Sequence, residues 1–292
     1  MSADAINLAQ LHQRYPLRRA VITGAGSGIG RALAVALAAN RWTLLLNDKD
    51  EARLGNVVDH CADLGATAYP ALFDVADLDA HRPSAEAFLR AYGGVDLVFT
   101  CAGIGVGGSF IEAEPDHLRE VVSVNLLGTM WAGKIFLPGM AAAHSGHFVT
   151  IASAAAYHGL PSIAAYAATK AAVVQLSETL RSELRPFGVD VTVKMTTFYT
   201  SNIAEFTRGT AAEREKARSL VEMAPWSSEQ VAEALLATVQ WRQFYLVAPG
   251  QARLLWRFKR FLPELYLRLV PAMFPKLEAK LLAKATVRQA AS

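Results

Sequence analysis

The sequence predicts an α/β protein built on a single doubly wound parallel sheet with helices on both faces, followed by a helical C-terminal extension. Three observations predict it. Short apolar runs alternate with longer helical patterns along the chain. Several of those runs are apolar at consecutive positions, as strands buried on both faces are. A glycine-rich turn joins the first run to a helical pattern, and no internal repeat, low-complexity tract or linker interrupts the alternation before residue 250.

The expected strands, in order, are RAVIT (19–23), WTLLLN (42–47), TAYPALF (67–73), VDLVFT (95–100), HFVTIA (147–152), VDVTVKM (189–195) and FYLVA (244–248). The helical patterns between them are IGRALAVALAAN, DEARLGNVVDHCADLG, a long segment from Pro115 to about Ala143, and SIAAYAATKAAVVQLSETLRSELRPFG. The last ends in basic residues and closes at Pro186–Gly188. Residues 1–250 are expected to form one α/β domain, and 251–292 a basic amphipathic extension.

The 292-residue chain is 52% hydrophobic, enough for a full core. A net charge of +3 does not suggest a nucleic-acid partner, but its distribution is uneven. From Gly250 onward nine Lys or Arg face two Glu, and the residues before it carry 20 basic against 24 acidic side chains. Two cysteines, Cys61 and Cys101, are too few for a disulfide scaffold, and neither has a neighbour at zinc-ligand spacing. The N-terminus lacks a basic and then apolar leader, and no stretch reaches about 18 charge-free apolar residues. The expectation is a cytoplasmic protein without a bound metal or a spanning helix.

VITGAGSGIGRALAVALAA reads as strand, turn and helix. Gly24, Gly28 and Gly30 leave room for a pyrophosphate at a helix N-terminus, where free N–H groups and the helix dipole favour an anion. The G-x₃-G-x-G spacing differs from the G-x-G-x-x-G fingerprint. Asp48 ends the next strand, where a carboxylate accepts hydrogen bonds from ribose hydroxyls and repels a 2′-phosphate. NAD is therefore expected rather than NADP, with the adjacent Lys49 the one feature that argues the other way.

In SAAAYHGLPSIAAYAATK (153–170), Tyr166 and Lys170 are four apart in a helical pattern and share a face. An ammonium beside a phenol lowers its pKa from about 10 toward the working range and makes tyrosine a usable acid or base. Ser153 follows a strand at its C-terminal end, where open α/β sheets bind ligands. Tyr157 lacks such a partner, since its i+4 residue is Pro161.

Thr23-Gly24-x₃-Gly28-x-Gly30, Asp74 in FDVAD, Asn125 in VNLLGT, Ser153 and Tyr166-x₃-Lys170, in this order, resemble the short-chain dehydrogenase/reductase family over about residues 18 to 250. The resemblance implies a Rossmann-type fold and direct hydride transfer without a metal. Tyr166 would be the proton donor or acceptor. Lys170 would bind the nicotinamide ribose and lower the tyrosine's pKa, and Ser153 would position the substrate oxygen. Asn125 would hold a water linking Lys170 to solvent. Gly24, Ser27, Gly28, Ile29 and Gly30 would surround the phosphates, and Asp74 and Val75 would contact adenine. Ala102 and Gly103 would make room for the cofactor. The resemblance also implies a homodimer or homotetramer.

Two stretches depart from the family's pattern. Thr100-Cys101-Ala102-Gly103 stands where Asn-Asn-Ala-Gly is usual, and Thr196-Thr197 where Pro-Gly lies beside the nicotinamide. Thr197 and Ser201 fall at positions that would meet the nicotinamide. Phe198 to Trp226 would form the lid, and its Phe198, Tyr199, Ile203, Phe206, Met223 and Trp226 suit either a lipophilic substrate or packing of the lid itself. In the tail, Trp256, Phe258, Phe261, Leu265, Leu269, Phe274 and Leu277 alternate with basic residues, and Pro263, Pro271 and Pro275 are expected to cut it into short helices. This pattern suits an anionic membrane surface, and equally packing on the lid or on a second subunit. The leading expectation is an NAD-dependent secondary alcohol dehydrogenase or ketone reductase acting on a small molecule. The alternative is a cofactor-binding regulatory protein with little turnover.

Overall fold

A computed structural model describes residues 8–270, together with 272 and 273. The helices and strands run α1 (Leu8–Arg14), β1 (Arg19–Thr23), α2 (Gly28–Ala38), β2 (Thr43–Asp48), α3 (Glu51–Asp63), β3 (Thr67–Leu72), α4 (Leu78–Tyr92), β4 (Leu97–Thr100), β5 (Gly105–Val106), α5 (Pro115–Val122), α6 (Gly128–Ala142), β6 (His147–Ile151), α7 (Ala155–His158), α8 (Ala164–Leu184), β7 (Asp190–Thr196), β8 (Thr207–Arg208), α9 (Ala211–Glu222), α10 (Ser228–Gln240), β9 (Tyr245–Ala248) and α11 (Gly250–Phe261). Seven strands form one parallel sheet in the order β3-β2-β1-β4-β6-β7-β9. This is the doubly wound, Rossmann-type sheet the alternation predicts. All seven expected strands are present, within about two residues at their ends. The order reverses between β1 and β4, so the strand C-termini on either side of that point open a crevice. Pro70 sits in β3, an edge strand, where a missing N–H is tolerated.

Side chains alternate across the sheet into two cores. One lies under α2 and α10 and contains Ile22, Leu33, Leu44, Phe99 and Leu235. The other lies under α4, α6 and α8 and contains Val98, Phe136, Phe148, Val173 and Met195. Apolar periodicity alone does not bring out three of the helices. Pro83 breaks the pattern of α4, which is started instead by the Asp77 carboxylate accepting from the N–H groups of Asp79 and Ala80. Capping boxes, Thr210 with Glu213 and Ser227 with Gln230, start α9 and α10. One continuous run of helix, Pro115–Ala142, is 28 residues and holds an 18-residue stretch with a mean hydropathy of 1.3, long and apolar enough by composition alone to cross a membrane. Half of its most apolar stretch is buried inside the protein, as a core helix requires. A wide turn over 123–127, at Asn125, separates α5 from α6 within it.

The C-terminal region is helical and lies on the domain. Ala252 and Tyr266 are buried, Trp256 stacks on Tyr245, and the His158 Nδ1 and Tyr266 hydroxyl are 2.5 Å apart. Pro263 begins a second helix over 263–270, as the prolines predict. Pro271, Phe274, Pro275 and Leu277 lie outside the described residues.

Two buried histidines make stability sensitive to acid. His147 is 2.7 Å from both the Tyr15 hydroxyl and Thr192 Oγ1. Burial pushes it down to about 3 and His158 to about 4. Both stay neutral when folded but charge near 6.5 when unfolded, so their stabilisation is complete above 6.5 and is lost as pH falls toward those values. Thermal melts should show stability falling below pH 6.5 by about 1.4 kcal/mol per pH unit for each histidine. His147→Gln should flatten that slope.

Candidate active site

The loop after β1 turns at Gly24 (φ +64°), and a Cβ there would stand 2.7 Å from the Ala102 backbone. A Cβ on Gly30 would stand 2.1 Å from the Gly24 carbonyl, so α2 approaches the turn only through glycine. Gly28 needs its positive φ of +51°. Ser27 occupies the N-cap of α2, but its side chain makes no cap hydrogen bond. The first N–H groups of α2 thus border an open cleft.

Gly24, Ser27, Gly28, Ile29, Gly30, Asp48, Asp74, Val75, Ala102, Gly103 and Ser201 all line this one cleft. Asp48 is held in place by backbone, its Oδ2 accepting from Gly26 N at 2.9 Å and Oδ1 from Asp50 N at 3.0 Å. Asp74 accepts from Ala76 N at 2.9 Å, and Lys49 lies 3.8 Å from it. Asp74 is not a helix cap, since Asp77 holds that position. Thr197 is not on the wall of the cleft; its N–H donates to Ala248 O at the end of β9. Two polar atoms on the wall, Asn47 Oδ1 and Ser201 Oγ, are buried without a hydrogen-bond partner. A glycine cradle, a helix N-terminus, carboxylates at one end and unsatisfied polar atoms along the wall fit a dinucleotide.

Ser153, Tyr166, Lys170 and Asn125 are not among the residues that line the cleft; the link to it is Gly103, where a Cβ would stand 3.4 Å from Lys170 Nζ. Tyr166 and Lys170 project from α8, fastened to β6 by a Thr150–Ser177 hydroxyl pair at 2.7 Å. Lys170 Nζ donates to Ile151 O at 2.9 Å and lies 5.7 Å from the centre of the Tyr166 ring. Ser153 Oγ accepts from Ala155 N at 3.2 Å and hydrogen-bonds the Tyr166 hydroxyl. Burial raises the Tyr166 pKa above its ordinary value, and the Ser153 bond pulls it down. The Tyr166 pKa therefore does not show the lowering expected from Lys170, because desolvation of the phenol dominates. Burial in turn pushes Lys170 down to about 8. Tyr157 points elsewhere, donating to Ala252 O at 3.2 Å.

Asn125 is buried and acts as a clamp. Its Oδ1 accepts from Ile104 N at 2.9 Å, and its Nδ2 donates to Ile104 O at 3.0 Å and Thr169 Oγ1 at 3.2 Å. Both amide hydrogens are thereby engaged, leaving none for the water suggested by the resemblance. Thr169 Oγ1 donates to Tyr166 O at 2.8 Å, so the clamp ties the Gly103–Ile104 wall to the helix carrying Tyr166.

At the altered positions, Thr100 Oγ1 makes one long bond to Val149 O at 3.4 Å, and Thr196 Oγ1 is buried without a partner. Burial pushes the Cys101 thiol up to about 12, which keeps it protonated and unreactive. The segment expected to form the lid is tied to the domain by two ion pairs. Arg53 of α3 pairs with Glu205 at 2.7 Å and lies 5.1 Å from the Phe206 ring centre, while Arg208 binds Glu120 through two bonds of 2.7 and 2.6 Å. Tyr199, Ile203 and Phe206 line the cleft, Trp226 packs on the core, and Phe198 is exposed.

Asn47 and Lys194 are absent from the residues that the sequence singles out. A signal for Lys194 is nonetheless there: one lysine within an otherwise apolar and threonine-rich strand, VDVTVKM. Asn47 ends such a strand in the same way.

A sequence profile described as short chain dehydrogenase matches residues 18–211. The putative oxidoreductase SadH of Mycobacterium tuberculosis is 33% identical over 260 residues, 87% of this chain and 94% of its own. The probable oxidoreductase EphD of the same organism is 32% identical over 253 residues, 83% of this chain; that match spans only 43% of its own length. Among solved structures, a short-chain dehydrogenase/reductase from Burkholderia phymatum in complex with NAD is 31% identical, with a TM-score of 0.80 over 85% of this chain and 94% of its own. A short-chain dehydrogenase from Streptomyces avermitilis is 26% identical, with a TM-score of 0.70 over 94% and 98% of the two chains. The glycine cradle, the doubly wound sheet and these matches agree: the chain belongs to the short-chain dehydrogenase family of oxidoreductases.

Proposed function

We propose that this protein is an NAD-dependent oxidoreductase that interconverts a secondary alcohol and a ketone, with a bulky or lipophilic substrate. The observation that carries the proposal is that Lys170 lies beside the Tyr166 ring and close to Gly103 of the cleft wall, with Ser153 bearing on the Tyr166 phenol. When bound, NAD supplies the hydride acceptor. Ser153 holds the substrate oxygen by hydrogen bonding, and Tyr166 moves the proton to or from it. Lys170, anchored on Ile151 O, supplies positive charge beside the Tyr166 ring. Asn125 positions the wall and the helix relative to each other. The test is NADH formation across secondary alcohols from short to steroid-sized and aryl, with NADP in parallel. Turnover with one class identifies the substrate pocket. NAD binding without turnover of any alcohol or matching ketone would overturn the enzymatic reading and favour a regulatory one.

Asp48 supports NAD over NADP. Its carboxylate is held by two backbone N–H groups at the cleft wall, where a 2′-phosphate would meet a fixed negative charge. Asp48→Ser should shift the kcat/KM ratio of NADP to NAD upward by about 100-fold, as loss of a several kcal/mol repulsion predicts.

The apolar groove between α6 and α8, lined by Met130, Leu137, Leu176 and Leu180, supports a homodimer or homotetramer. Residues 251–292 we read as an extension that contacts an anionic membrane surface, its described part, up to 270, lying on the domain. Leu254, Phe261 (78% exposed), Leu262, Leu265 and Leu269 remain exposed, among Arg253, Arg257, Lys259, Arg260 and Arg268, with Glu264 the acidic residue. Leu267 reaches Gly159, the residue that ends α7. The full chain should co-sediment with anionic liposomes at low salt, and Phe261→Glu should reduce binding about tenfold. Equal partition of wild type and variant would reject the membrane contact.

A further inference from the structure

Lys194 is 2% exposed, on the face of β7 it shares with Thr192 and Thr196. Its register partners are Ile151 on β6 and Leu246 on β9, both apolar. Its Nζ lies 4.1 Å from the centre of the Tyr199 ring, and that ring lines the cleft. Among the described residues no carboxylate pairs with it. The titratable groups bearing on Lys194 and on Tyr199 are Lys170, Cys101 and Tyr166. Burial keeps the Cys101 thiol and the Tyr199 phenol protonated, so neither supplies a negative charge. Two lysines thus bear on one another beside Ile151 and Tyr199 of the cleft wall, with no anion between them among the described residues.

A buried ammonium in this setting rests on the π face of Tyr199. A cationic ring brought to this part of the cleft is repelled by the ammonium and competes for the same negative ring face. Both terms are strengthened by the low dielectric. An uncharged ring suffers neither. We propose that Lys194, acting through Tyr199, makes this part of the cleft select by charge, holding a dinucleotide with the neutral, reduced nicotinamide in preference to the cationic, oxidised one. The proposal rests on the reading of the cleft as the NAD site.

The selection is linked to protons. A ligand that disfavours the ammonium discharges it, so the oxidised cofactor binds with release of a proton and the reduced one does not. Burial first, and then Lys170, hold Lys194 well below its ordinary value. Selection is strongest where Lys194 is charged and fades as pH rises. Tighter binding of the reduced form also pulls the bound equilibrium toward alcohol oxidation.

The experiment is calorimetric titration of the full chain with NAD, NADH and ADP-ribose at pH 6, 7.5 and 9, for the wild type and Lys194→Met. In the wild type the Kd ratio of NAD to NADH should fall by about tenfold between pH 6 and 9. In Lys194→Met the ratio should stay constant, and ADP-ribose should bind both proteins alike. The wild type alone carries a second readout: the heat of NAD binding should differ between phosphate and Tris buffers by the heat of up to about half a proton released, and that of NADH should not. A flat ratio in the wild type, or one that still varies in Lys194→Met, overturns the proposal while leaving the NAD site intact. Failure of all three ligands to bind overturns the cofactor reading, and this proposal with it.

Discussion

Replacement of Tyr166 by phenylalanine is expected to lower turnover about 10³-fold in both directions while leaving NAD affinity within a few-fold of wild type. Loss of a positioned acid or base costs about 10² to 10⁴ in rate. The variant keeps the ring beside Lys170 and removes only the hydroxyl bonded to Ser153. Steady-state rates with the best alcohol and its ketone, together with a cofactor titration, check both halves. The pH dependence follows from the same geometry. Burial holds the Tyr166 phenol above its ordinary value, so the form able to accept a proton grows as pH rises. Alcohol oxidation by the wild type should therefore increase with pH through the neutral range, while ketone reduction, which uses the protonated phenol, should stay level there and fall only as the pH approaches the raised pKa. A variant that loses NAD binding along with turnover would show that Tyr166 is structural.

The second large effect is expected at Gly30. Its Cβ would meet the Gly24 carbonyl at 2.1 Å, and that atom belongs to backbone that cannot rotate away. Gly30→Ala must push the N-terminus of α2 off the turn, at a cost of about 1–3 kcal/mol for overpacking. NAD affinity should fall about 100-fold as the first N–H groups of α2 lose their aim. Gly55→Ala is the control. Gly55 lies in α3, and a Cβ added there would meet nothing within 4 Å. That change should raise stability by about 0.5–1 kcal/mol and leave NAD binding unchanged. Circular dichroism melts and fluorescence titration distinguish the two.

Most of the sheet is legible in the sequence because its strands are short, apolar and buried, a signal that local composition carries. α4 is hidden because Pro83 reads as a breaker, although Asp77 caps the helix ahead of it. β5 and β8 are hidden because two residues carry no periodicity; they pair only because the lid folds back over the cleft. The glycine cradle and Asp48 are legible because close approach and charge require particular residue types at particular spacings.

The chain's residues by themselves determined the doubly wound sheet, the glycine turn ahead of α2 and the shared face of Tyr166 and Lys170. Each of these depends on neighbours within a few positions or on the side-chain alternation of a strand. Only the tertiary structure decided that Asn125 clamps Ile104 and Thr169, that Thr197 turns to β9, that burial outweighs Lys170 at the Tyr166 phenol, and that Lys194 comes to rest on Tyr199. Those outcomes depend on desolvation and on contacts between residues far apart in the chain, which no local pattern encodes.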